Sequence, residues 1–141
     1  MKLKKKLVVF NCFTHILLYC GVLNWIFSDK GSTYLFHLSS ESRNLFWTLL
    51  ILSIIYSGFI CYLLLRSKAI GIKLAVFWNI FLGLFILIPW LGGYFLFKYM
   101  YSLDTQLNLL SVGSLLKGVI SISLIASGML FNKWVKVPGS N

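Results

Sequence analysis

The chain is predicted to be an all-α membrane protein, a four-helix transmembrane bundle with both termini in the cytoplasm. Three observations carry this reading. Hydrophobic residues make up 59% of the 141 positions and charged residues only 11%, against about half and about a quarter in soluble domains. Four apolar runs, each long enough to cross a hydrocarbon core of about 30 Å, alternate with short polar connections. All basic residues but Lys117 sit near the ends of those runs, where topology signals belong.

The longest polar connection, residues 28–44, leaves no room for a soluble catalytic or nucleic-acid-binding domain. A formal charge of +10 would in a soluble chain suggest a polyanionic partner. Its placement at span ends points instead to anionic lipid headgroups on the cytoplasmic side, and no nucleic acid is expected.

The first span, residues 7–27, follows the basic start Met-Lys-Leu-Lys-Lys-Lys. A charged stretch before an apolar run resembles a signal peptide, but no small-x-small cleavage site follows, so it is read as an uncleaved helix. It is the most polar of the four. Asn11, Thr14, His15 and Tyr19 fall on one side at helical spacing. Such a face is expected to turn inward, because lipid cannot hydrogen-bond it. Gly31, after Ser28, Asp29 and Lys30, reads as the stop of this helix. Residues 32–39 are too apolar for a loop in water and too short to span, which assigns them to the membrane surface. Ser39 or Ser40 then caps the next helix, with Glu41 favourably placed in its first turn.

The second span, residues 45–65, carries Ser53, Ser57 and Cys61 every four residues, a small-xxx-small stripe suited to close helix contact. The short link at 68–73 makes spans two and three antiparallel neighbours. The third span, residues 74–97, contains Asn79, Gly83, Pro89, Gly92 and Gly93. Pro89 cannot donate to the carbonyl of Phe85, so a bend is expected, and Pro89 with Gly92 and Gly93 is the candidate hinge. Trp90, Tyr94, Tyr99 and Tyr101 form an aromatic collar beyond it. The fourth span, residues 109–131, holds Lys117 and a seam of Ser111, Ser114, Gly118, Ser121, Ile125 and Gly128. Its steps of three and four residues give the 3.5 spacing of left-handed helix packing. Lys133, Trp134 and Lys136 anchor its far end.

The candidate chemistry is sparse. An intramembrane lysine costs about 2.5 to 3.5 kcal/mol on insertion scales and is therefore a functional candidate. Lys117 lies sixteen residues from Lys133, about 24 Å along a helix. That leaves about 6 Å to the outer surface of a ~30 Å core, within reach of a snorkelling side chain or of an ion pair with Asp104 or Glu41. Otherwise Lys117, with Asn11, Thr14, His15 and Asn79, is the candidate pore or ligand set for an anion. Ser114 or Ser121 beside Lys117 would form a Ser-Lys pair. No carboxylate or other histidine in the apolar part of spans two to four completes such a site, and the chain is not expected to be an enzyme. Cys12, His15 and Cys20 from one helix do not close a tetrahedral site, so neither metal nor cofactor is expected. The three cysteines, Cys12, Cys20 and Cys61, read as small apolar residues inside spans, with no disulfide-type spacing.

The expected function is helix–helix assembly, as a homo-oligomer or with a membrane-protein partner; of the two small-residue seams, one can serve packing within the chain and the other packing between subunits. Pore-forming effectors, defence or immunity-type proteins and accessory subunits of membrane complexes all share this hydropathy, which is an analogy of architecture alone. A small transporter or channel for an anionic ligand, using Lys117, is the alternative, and an intramembrane enzyme the third.

Charge decides the orientation. With the amino terminus inside, one side holds Lys2, Lys4, Lys5, Lys6, Arg66, Lys68, Lys73, Lys133 and Lys136. The other holds Lys30, Arg43 and Lys98 together with Asp29, Glu41 and Asp104. The positive-inside rule places both termini in the cytoplasm. In a cysteine-less background, Ser42→Cys should react with an impermeant maleimide in intact cells. Ser140→Cys should react only after permeabilisation; the reverse pattern would invert the topology.

Overall fold

A computed structural model describes residues 2–101 and 112–136, and every element in them is helical. They are α1 (Lys2–Ile26), α2 (Asp29–His37), α3 (Ser40–Leu65), α4 (Ala69–Tyr101) and α5 (Val112–Lys136). Four segments are long and apolar enough to cross a membrane: Lys4–Ile26, Ser40–Leu65, Ala69–Pro89 and Leu115–Trp134. These are the features of a multi-pass helical membrane protein. The chain divides into two compact units, residues 1–71 and 72–141.

In the first unit α1 and α3 run antiparallel, with α2 as the return between them. α1 ends at Ile26, and Ser28 starts the next helix at once. The Ser28 hydroxyl accepts a bond from the Gly31 amide at 3.2 Å, and Asp29 sits in the first turn, where the helix dipole favours an acid. The apolar stretch 32–39, assigned to the surface from sequence, is thus largely the body of a nine-residue helix. It buries Gly31 and Leu35 and exposes Tyr34 and Phe36. The expectation that Gly31 terminates the first helix is corrected. Gly31 lies inside α2, and its missing side chain lets the helix start press against the carbonyl of Trp25. The Trp25 and Tyr34 rings close the same corner at 5.9 Å. Ser39 is the cap of α3, accepting from the Ser42 amide at 3.2 Å, with Glu41 in the first turn as expected.

α3 ends in a Schellman motif. The Lys68 amide bonds the Leu63 carbonyl and the Ser67 amide the Leu64 carbonyl, both at 3.0 Å. Ser67 takes the left-handed conformation this requires, at φ 55°, a position usually given to glycine. Gly71 is buried immediately after, where a Cβ would meet that of Leu63 at 2.7 Å.

In the second unit α4 and α5 are antiparallel partners. α4 has 33 residues and continues through Pro89 and the Gly92-Gly93 pair. Its apolar stretch is bracketed by Lys73 and Lys98. Both units bury polar side chains and expose large apolar ones, the reverse of a soluble domain. Phe77, Phe81 and Phe85 stack along the outer face of α4 at 6.2 and 6.1 Å, and all three are exposed.

Because the Trp25 carbonyl is backbone and cannot swing aside, Gly31→Ala should cost about 1–3 kcal/mol. Thermal unfolding in detergent measures the loss. Faster amide exchange confined to residues 29–37 locates it.

Candidate functional site

The polar residues singled out on α1 form a real face. Asn11, Thr14 and His15 are all buried. The Thr14 hydroxyl donates back to the Phe10 carbonyl at 2.9 Å, so one of its needs is met within its own helix. The His15 ring stacks on Tyr19 with centroids 6.5 Å apart. Tyr19 reaches across to α3. Its phenol donates to the Ser53 carbonyl at 3.0 Å and lies 2.7 Å from the Ser57 hydroxyl. The Ser53 hydroxyl itself turns back to the Leu50 carbonyl at 2.9 Å. A turn further along the α3 stripe, the Cys61 thiol is the neighbour of the Cys12 thiol. The Ser53, Ser57, Cys61 stripe is therefore the surface that α1 packs on.

The second unit repeats the principle with different residues. Asn79, fully buried on α4, donates through Nδ2 to the Ser127 hydroxyl at 3.1 Å. Ser127 passes its own proton to the Leu124 carbonyl at 2.9 Å. Buried Ser121 donates to the Gly118 carbonyl at 3.1 Å. Two glycines let the helices approach around this bond. A Cβ on Gly83 would lie 2.9 Å from the Ser121 carbonyl, and one on Gly128 would lie 3.3 Å from the Val76 carbonyl. The nearest atoms are side-chain ones, Ile125 Cγ1 at 2.5 Å from a Cβ on Gly83 and Ile80 Cγ1 at 2.9 Å from one on Gly128, with the carbonyls next.

The seam on the fourth span thus finds its partner in α4 of the same chain, through Ser121, Ile125 and Gly128, while Gly118 is buried on the same helix. Ser114 lies on α5, and Ser111 lies outside the described residues. Pro89, Gly92 and Gly93 lie within α4. Lys117 is on the outer side of α5, exposed among exposed Leu115, Leu116, Val119 and Ile122. It is five residues from Val112, the first residue of α5, or about 7.5 Å along the axis. Asn79 bonds Ser127, and Asn11, Thr14 and His15 lie on the buried face of α1. Among the described residues no group of three or more His, Cys, Asp or Glu side chains converges as a metal site.

Three residues of these interfaces were not among the sequence candidates. Ser127 lies beside Gly128 and belongs to a buried stripe of Ile120, Leu124, Ser127 and Phe131. Its steps of four and three residues were the available signal. Gly83 stands one turn from Asn79 on the same face of α4, a spacing that marks it as contact surface. Cys12 gives no sign of its partner in sequence, because only the α1–α3 register brings Cys61 to it.

Comparisons with protein-family models, curated proteins and solved structures return no match for this chain.

The Asn79–Ser127 bond should carry measurable coupling. In a double-mutant cycle of Asn79→Ala and Ser127→Ala, folding in bilayer or detergent should show about 0.6 kcal/mol of interaction energy, the average for interhelical hydrogen bonds, and no more than ~1.7 kcal/mol. Strict additivity would mean the amide finds another partner.

Proposed function

We propose that this is a four-span cell-membrane protein, with both termini cytoplasmic, that acts without catalysis by associating inside the bilayer. Its partner is a second copy or a subunit of a larger membrane complex, in the manner of small effector, immunity-type or accessory proteins. The observation that supports this reading is a pair of glycines outside the internal interfaces. Gly21 on α1 and Gly58 on α3 are exposed, and a Cβ on either would meet nothing among the described residues within 4 Å. Gly58 lies eight residues before Arg66, about 12 Å along the helix and near mid-depth of a ~30 Å core. An open glycine at that depth lets a further helix bring its backbone close, and lipid gains nothing from it.

Both small-residue seams, open in sequence to packing within the chain or between subunits, pack within their own units, which leaves Gly21 and Gly58 as the small residues available for association. Lys117, exposed on α5, has a counter-charge available in headgroups at the near surface or in an acidic group of a partner.

The two sorts of glycine give opposite outcomes. Gly21→Leu with Gly58→Leu should weaken association in lipid nanodiscs by about tenfold or more, equivalent to ~1.4 kcal/mol, with helix content and unfolding temperature unchanged. Gly128→Leu should lower the unfolding temperature instead. A complex mass in native-lipid particles that ignores the Gly21 and Gly58 changes would remove the proposal.

A further inference from the structure

We propose that Cys12 and Cys61 are a redox pair, a site at which α1 and α3 become joined by a reversible disulfide. Both are reduced thiols, each half-buried. Their side chains are electrostatic neighbours across the α1–α3 interface.

The register supports the encounter independently. Tyr19 bonds Ser53 and Ser57. In an antiparallel pair, moving seven residues back along α1 keeps the same face and two turns of height. The corresponding move along α3 leads from Ser53 and Ser57 toward Cys61, where Cys12 is found. Depth agrees as well. Cys12 is six residues after Lys6, about 9 Å along its helix, and Cys61 is five residues before Arg66, about 7.5 Å. Both thiols therefore lie at one level, about one and a half turns below the same basic rim.

The oxidant is a disulfide, either a small-molecule disulfide or a protein one, entering from that rim. One of the two sulfurs, as thiolate, attacks the reagent and releases one reagent thiolate, leaving a mixed disulfide on the protein. The second sulfur, losing its proton, attacks the mixed disulfide and releases the other reagent thiolate. Two protein thiols are oxidised, one reagent disulfide is reduced to two thiols, and the two protons pass to the departing thiolates. The product closes a ring from residue 12 to residue 61 that contains α2. Cys20 is exposed elsewhere on α1 and takes no part.

The full chain in lipid nanodiscs, treated with oxidised glutathione and then alkylated under denaturing conditions, tests this. With Cys20→Ser in place, the wild-type pair should accept no alkyl groups, carry no glutathione and have lost two hydrogens. A Cys12–Cys61 peptide should appear by mass mapping at a yield independent of protein concentration. Cys12→Ser, which keeps a small hydrogen-bonding side chain, should instead trap glutathione on Cys61. Two alkylated thiols, two glutathione adducts on the parent, or a cross-link found only between chains would each overturn the proposal.

Discussion

A hydroxyl or amide inside hydrocarbon has no water to bond, so each one the chain carries must find protein. The helices pair in the way that answers this. Tyr19 spans the gap to Ser53 and Ser57 in one unit, and Asn79 spans the gap to Ser127 in the other. Neither bond is strong in itself. The alternative is what makes them decisive, because sliding either helix by one residue would leave a buried polar group facing lipid or an apolar wall. Apolar packing alone would tolerate many registers, since lipid tails are as apolar as leucine. The polar contacts choose among them.

Glycine then sets how close the chosen pairs come. Gly83 and Gly128 meet carbonyls of the facing helix, and Gly31 meets the carbonyl of Trp25. These positions are defined by backbone approach, not by conformational freedom. Gly21 and Gly58 have the same composition and an open setting. The difference between the two groups lies entirely in what stands opposite, and no property of the residue itself reports it.

That distinction also marks where sequence reading succeeds. The four apolar segments were legible because run length and the cost of unpaired backbone leave few alternatives. The α3 cap at Ser39 was legible because capping is local chemistry. The polar face of α1 was legible from helical spacing, although its partner was not. Gly31 was misread because a glycine after an apolar run looks the same whether it ends one helix or opens the next. The α5 seam was seen as contact surface, while its partner in α4 depended on a register no local pattern encodes. Ser127 and Gly83 were missed for the same reason. So was the meeting of Cys12 with Cys61.

The apolar length of α4 has a consequence of its own. Twenty-four residues lie between Lys73 and Lys98, which is about 36 Å of helix. A hydrocarbon layer of ~30 Å accommodates that length only if the helix leans by about 30–35° or the lipids around it stretch. A helix with that much apolar length stands more upright in a thick bilayer and leans further in a thin one.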